Sequence, residues 1–342
     1  MKIGRRSLLL LTSAVLTMAA VAPAQAAQRP TRTLVTLPML PGVPFGHAFD
    51  VNDSGVAVGT ASTDSRMYAL KWPTPYSVVE LQGLPYATRT SAYGINNKGI
   101  VVGSTDIDAK AYATKWAADG TPSELLTPPG HRTCGAVAIN DHDVAAGFCY
   151  TDAGKRRAMR WAPDGTPTVL GTGGQDLRTG ASDINNDGTI VGSADEGAIT
   201  WAARWDTDGQ LQYLLRPEGA TYSTAMSIND SGVVGGSISA AKPSAGRWAA
   251  NGEWTSLANL PGAPDMPYSA SGINADGVAA GSGYAADGKN VAVRWGANGT
   301  VTQLPSLPNA RPNSITTANA LNRTGAIAGH SDNAPVLWLG YR

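Results

Sequence analysis

The chain has 342 residues, with 26 Lys and Arg against 26 Asp and Glu, and only 15% of its residues are charged. A formally neutral chain gives no electrostatic reason to expect nucleic acid or an anionic membrane as partner. Its 40 Gly and 22 Pro point to many turns. The 2 Cys and 4 His form no cluster of metal-ligand spacing, so no metal site is expected.

Residues 1–26 read as an export signal. Lys2, Arg5 and Arg6 supply the charged start, Leu8 to Val21 a short apolar core, and Ala24-Gln25-Ala26 a small-x-small cleavage site. The apolar run is short for a membrane span. "GRRSLLL" resembles a twin-arginine signal, which would export a folded protein; an ordinary secretory signal holding two Arg is the alternative. Without this segment the charge is about −3 (23 basic minus 26 acidic). No later stretch is long and apolar enough to anchor the chain, so a secreted protein is expected, with residues 27–342 as one domain.

That domain is written in seven copies. An Asn recurs at 52, 96, 140, 185, 229, 274 and 322, at intervals of 44 to 48 residues. Three residues after it stands Gly55, Gly99, Gly188, Gly232, Gly277 or Gly325, with Asp143 in the third copy. Seven residues after it stands Gly in every copy, from Gly59 to Gly329, and each copy closes on a Trp: 72, 116, 161, 205, 248, 295 and 338.

Within a copy, a short alternating segment ends at the Asn. Asn-x-x-Gly then suits a type I turn, because Asn caps its own backbone and Gly accepts positive φ. A second strand such as "IVVGS" follows, then a polar loop, a third strand such as "YATKW", a turn such as "AADG" and a short fourth strand such as "VTQL". Four strands per repeat of about 45 residues leave no room for a helix and are the signature of a β-propeller blade. The seventh copy ends at Trp338 without a fourth strand, and a spare one, "TLVTLPMLPG" from Thr33, precedes the first. The expected fold is therefore all-β: a seven-bladed propeller of four-stranded blades, closed by the N-terminal strand completing the last blade.

The recurring "A-x-x-I-N-x-x-G-x-x-x-G … A-x-x-W", together with "GHAFDVNDSGVAVG" at the start, resembles the HAF-type extracellular repeats of bacteria over roughly residues 33 to 340. The resemblance implies export and a repetitive fold, and brings no catalytic residues. The His-Ala-Phe triplet itself stands only at His47-Ala48-Phe49.

The landmarks read first as construction. The seven Asn serve turns, the Trp serve packing between blades, and the basic residue before six of them (Lys71, Lys115, Arg160, Arg204, Arg247, Arg294) serves carbonyls or the Asp beside the Asn. Trp201 and Trp254 lie outside the pattern and have a better claim to a ligand. "DVNDSG" (50–55) and "DINNDG" (183–188) resemble calcium loops, but the residues six beyond the Gly are Ala61 and Ala194 where a ligating Glu would be needed, so no cofactor is assigned. Cys134 and Cys149 flank the Asn140 turn. A four-residue turn from Asn140 to Asp143 would pair Ile139 with Val144 and set the two Cys opposite each other, where an exported chain could bridge them, whereas a bulged three-residue loop would put them on different faces.

No hydrolase motif accompanies any His. Recognition is instead expected where the repeats stop agreeing, in the loops opposite the Asn turns, because variable loops on a rigid scaffold carry binding. The candidates are Asp106, Asp108, His131, Arg132, Arg178 and the run Lys155-Arg156-Arg157, the last also readable as a solvated loop. Arg66, Arg89, Lys110, Asp176, Asp195, Glu196, Lys289 and Arg311 share that face. The expectation is a monomeric binding or scaffold module for an extracellular glycan, wall polymer or protein. The rivals are a polymer-acting hydrolase or lyase, which would gather carboxylates with His or Tyr at the axial mouth, and a passive surface protein without a recess.

Overall fold

The computed structural model describes residues 31–174, 176–311 and 313–341. The export signal expected at 1–26 lies outside them. Among the described residues there are 28 strands in seven four-stranded antiparallel sheets and no helix. The first sheet runs β2 (Phe45–Val51), β3 (Ala57–Ser62), β4 (Met67–Thr74), β5 (Ser77–Leu81). Five more repeat that order and open with β6 (Arg89–Ile95), β10 (His131–Ile139), β14 (Thr179–Ile184), β18 (Tyr222–Ile228) and β22 (Ser269–Ile273). The first strand of each sheet touches the first strand of the next, and β26 (Thr316–Leu321) touches β2, so seven first strands surround an axis. This is a seven-bladed β-propeller.

The seventh blade is completed from the other end of the chain. Its order is β26, β27 (Ile327–Ser331), β28 (Ala334–Leu339), β1 (Thr33–Thr36). Leu34 lies opposite Trp338 and Thr36 opposite Val336. The join satisfies an outer edge that would otherwise offer free N–H and C=O groups.

Each blade's first hairpin carries one device that the repeat spacing conceals. The seven ladders all show a register shift just before the Asn, placing a single-residue β-bulge at Phe49, Tyr93, Val137, Ser182, Met226, Ser271 and Asn319. The bulge pushes the first strand against the second, which explains the second Gly of the repeat. A Cβ on Gly59 would overlap the carbonyl oxygen of His47, and one on Gly147 that of Gly135. The first Gly has a different cause: Gly99 has φ 80°, and its substitute Asp143 has φ 64°, a conformation most side chains avoid.

The same bulge decides the cysteine pairing. Ile139 pairs with Ala145, not Val144, so the turn is one residue longer than the spacing suggested. The bulge at Val137 restores the register, Cys134 faces Cys149, and a disulfide joins them.

The core is seven wedges between blades. One wedge joins Val58, Ala69 and Leu81 of the first blade to Ala92, Ile95, Val101 and Trp116 of the second. All seven repeat Trp are fully buried. Each indole N–H donates to a carbonyl just after the preceding blade's fourth strand, as Trp116 does to Gln82 at 2.6 Å and Trp338 to Pro305 at 2.8 Å. The ring thus buries its bulk and satisfies its one polar atom.

Candidate functional site

The Asn face is occupied by its own bonding. Each Asn side chain accepts the backbone N–H four residues on, as from Val56 to Asn52 Oδ1 at 3.0 Å and from Thr189 to Asn185 Oδ1 at 2.9 Å, and Asn52 Oδ1 also accepts from Ser54 at 3.1 Å. Its Nδ2 then donates to the backbone carbonyl of the next blade's Asn. The bonds run from Asn52 to Asn96, Asn140, Asn185, Asn229, Asn274, Asn322 and back to Asn52, at 2.8 to 3.3 Å. A second, exposed row links Asp53, Asn97, Asp141, Asn186 and Asp230 in the same sense and stops at Ala275, whose methyl cannot accept. The basic residues before the Trp also serve the scaffold. Lys71 Nζ donates to Gly99 O (3.1 Å) and Ala118 O (3.0 Å) of the next blade, which places both kinds of turn on one face. Lys115, Arg160, Arg204, Arg247 and Arg294 likewise reach carbonyls of the following blade.

The opposite face holds the loops, and the sequence-predicted residues are there in two groups. Lys155 and Arg157 both pair with Asp176, Arg157 also reaches Leu177 O, and Arg156 reaches Ser193 at 3.2 Å. The densest charge run is therefore engaged as a clamp between the third and fourth blades. Arg178 lies beside it, 3.9 Å from Asp195. Of the second group, Arg132 lines a shallow recess with Lys110, Thr133 and Tyr150. Asp106 faces Arg89 across the ladder, Asp108 occupies a positive-φ turn, and His131 Nδ1 contacts Pro129 O at 3.1 Å while its Nε2 is buried without a partner. Trp201 is buried under the Arg216 guanidinium at 4.2 Å, and Trp254 lies 4.4 Å from Trp248, so both pack within the protein.

A larger recess, about 650 Å³, opens between the sixth and seventh blades on the loop face. Leu260, Pro261 and Leu307 give it apolar walls, and Asp287, Lys289, Asn290, Gln303, Arg311 and Ser314 give it polar groups of both signs. Lys289 pairs with Asp287 at 2.7 Å, and Arg311 with Asp332 at 2.7 Å. The Arg311 guanidinium holds the Asp332 carboxyl below its usual range against the opposing effect of burial. This recess was only partly visible in the sequence, through Lys289 and Arg311.

The axis holds a separate cavity of about 300 Å³. All seven bulge residues line it, and each is half-buried, so solvent reaches it. Asp50 and Asp183, one residue after the bulge in the first and fourth blades, also line it. Asp50 accepts the N–H of Val51 at 2.8 Å and that of Ile95 in the next blade at 2.9 Å. Asp183 does the same with Ile184 and Ile228, each at 2.8 Å. Burial pushes the Asp50 carboxyl up to about 6 against these donors. Asp183 is pushed up to about 7 by burial, with the charges of Asp50 and Asp230 adding to it. The two acids read as calcium-loop leaders thus bond the next blade's backbone instead. Among the described residues, no group of three or more His, Cys, Asp or Glu is arranged to hold a metal ion.

Above the cavity, His47 stacks on His330 across the first and seventh blades, with ring centroids 4.0 Å apart and planes 9° apart. Burial lowers both, His330 to about 4, with the neighbouring His47 contributing. Phe49 lies 5.4 Å from Tyr93 in the next blade. The sequence signal for the cavity was the position three before each Asn: Phe, Tyr, Val, Ser, Met, Ser and Asn in turn. It varies inside an otherwise constant hairpin.

No protein-family model and no curated protein matches this sequence. Solved propellers do. A catalytically inactive variant of virginiamycin B lyase from Staphylococcus aureus, bound to quinupristin, is 15% identical with a TM-score of 0.61, over 90% of this chain and 99% of the lyase. A puromycin hydrolase variant is 15% identical with a TM-score of 0.57, over 86% of this chain and 52% of the hydrolase. The extracellular domain of a one-component system from B. thetaiotaomicron is 10% identical with a TM-score of 0.54, over 90% of this chain and 40% of that one. At such identities the likeness is one of fold. No helix among the described residues is long and apolar enough to cross a membrane.

Proposed function

We propose that this chain is a secreted, monomeric binding module of the HAF-repeat type that holds an extracellular glycan on its loop face. The observation that carries this reading is the recess of about 650 Å³ between the sixth and seventh blades. Its size suits a small ligand or one or two sugar rings. Its mixture of Lys289, Arg311, Asn290 and Gln303 with Leu260 and Leu307 supplies both donors and acceptors for hydroxyls and an apolar surface for ring carbons. The Asn face supports the reading by contrast, because its polar groups already bond one another. A glycan-array screen of the protein without residues 1–26, repeated on Lys289→Ala/Arg311→Ala, tests it. Binding lost in the double variant is the expected result, and binding of the same glycans by both proteins would refute it.

A second reading, a hydrolase or lyase acting on an extracellular polymer, is favoured by Asp50 and Asp183 beside Tyr93 in the axial cavity. Two of the propellers of similar fold are themselves a lyase and a hydrolase. Two carboxyls of raised pKa suit acid–base chemistry. Release of reducing ends or unsaturated products by the wild type, abolished in Asp183→Asn, would establish this reading over simple binding.

A further inference from the structure

We propose that Tyr86 is the stacking platform of a sugar-binding subsite between the first and second blades, distinct from the recess between the sixth and seventh. The inference rests on the reading of the loop face as glycan-binding and extends it to a second place and to a class of sugar. Its starting point is a turn that joins one blade to the next. Leu40-Pro41-Gly42-Val43, Pro128-Pro129-Gly130-His131, Pro217-Glu218-Gly219-Ala220 and Leu260-Pro261-Gly262-Ala263 each close with the fourth N–H donating to the first carbonyl, at 3.1 to 3.2 Å. The third residue is Gly in all four, with φ of 73° to 75°, as a type II turn requires. Leu84-Pro85-Tyr86-Ala87 makes the same bond at 3.0 Å, and there Tyr86 takes the place of the glycine at φ 68°.

A left-handed backbone is costly for a bulky side chain. Tyr86 gives the fold nothing in return. It is 89% exposed, and among the described residues its side chain has no hydrogen-bond, ring or cation partner. A single exposed aromatic residue is ordinary on a protein surface. One held at a glycine position against its own backbone preference marks a function.

The surroundings give the ligand class. Tyr86 stands at a pocket of about 230 Å³ that Arg66, Glu80, Gln82 and Arg89 also line, room for one pyranose ring rather than a drug-sized ligand. Arg66 is steadied by the Tyr68 ring, 4.9 Å from its guanidinium, and lies 4.0 Å from Glu80. The side chains of Gln82 and Arg89 have no partner of their own among the described residues. Planar carboxylate, amide and guanidinium groups accept from and donate to neighbouring hydroxyls in pairs, while an aromatic face covers the C–H face of a ring. A pyranose with equatorial hydroxyls, as in β-linked polymers of glucose or N-acetylglucosamine, presents both surfaces at once.

Calorimetric titration of the protein without residues 1–26, using cellohexaose and N-acetylchitohexaose as probes, tests the proposal. Saturable binding of at least one is expected, weakened 5-fold or more in Tyr86→Gly and kept in Tyr86→Phe. Tyr86→Gly restores the residue that the other turns use, so its melting temperature should equal the wild type's or exceed it by about 1–2 °C. Loss of binding in that variant then cannot come from misfolding. Equal affinity in Tyr86→Gly, loss in Tyr86→Phe, a lower melting temperature for Tyr86→Gly, or no saturation of the wild type by either probe would each overturn the proposal. Lys289→Ala/Arg311→Ala separates the two sites. Both variants weaken binding if both readings hold; loss in Tyr86→Gly alone refutes only the recess, and loss in the double variant alone refutes only this subsite.

Discussion

The side-chain amide of Asn322 donates to the backbone carbonyl of Asn52, 2.8 Å away and 270 positions earlier in the chain. This bond closes a belt of seven, one per blade, in which each Asn holds its own turn and the next one. The ring is thus tied twice: at its rim by β1 on β28, and near its axis by Asn322 on Asn52.

Belt residues should therefore matter more than turn residues do. Asn52→Ala removes the bond to Asn96 O and leaves the N–H groups of Ser54 and Val56 without their acceptor. At about 1 kcal/mol for each lost bond, the expected cost is roughly 3 kcal/mol. Urea denaturation measures it. Asn97→Ala, in the exposed row, should cost under about 1 kcal/mol in the same experiment.

The gap in the exposed row can be filled. Ala275→Asn would place an acceptor where Asn97 and Asn186 already serve Asp53 and Asp141. The N–H of Asp230 would gain a partner, and a rise of about 0.5–1 kcal/mol is expected. A thermal melt that rises by a degree or two would agree with this; a fall would show that the row is not extensible.

The Cys134–Cys149 disulfide closes a loop with a sequence separation of 15. Loop-closure entropy for such a length is about 3 kcal/mol. Cys134→Ser/Cys149→Ser should lower the urea midpoint accordingly, and a reducing agent should do the same to the wild type but not to the variant.

Acid stability has two opposing parts. His330, lowered to about 4, and His47, also lowered, bind their protons more readily when unfolded, so their contribution is full above about 6.5 and is lost as pH falls towards 4. Asp50 and Asp183, raised to about 6 and about 7, hold protons longer when folded. Their effect has the reverse sign: stability falls as pH rises from about 4 to 7, then levels. The wild type should show a shallow profile between pH 4 and 6.5. Asp50→Asn/Asp183→Asn, if folded, should show a monotonic loss on acidification across that window, measured by thermal melts at half-unit steps.

Fold and closure were legible because both are periodic. Asn, two Gly and Trp keep step over seven copies, and the missing strand at one end matches the spare one at the other. The belt was not legible, because a turn Asn and an inter-blade Asn have the same spacing. The bulge was hidden for a related reason: it inserts one residue in every copy and leaves the period unchanged. Asp50 and Asp183 were visible, but beside the Asn turn they suggested a metal loop. Only the bulge reveals that they face the axis. The partner of the Lys155–Arg157 run was not legible either, since Asp176, which engages two of the three, comes from the next connection.

The account rests on recognition by the loop face and construction by the Asn face. Its most direct test is the affinity of a glycan selected on the array, titrated against three proteins. These are the wild type, the loop-face variant Lys289→Ala/Arg311→Ala, and the Asn-face variant Lys98→Ala/Arg323→Ala. The expected result is a loss of 10-fold or more in the loop-face variant and unchanged affinity in the Asn-face variant. The reverse pattern, or equal affinity in all three, would contradict it.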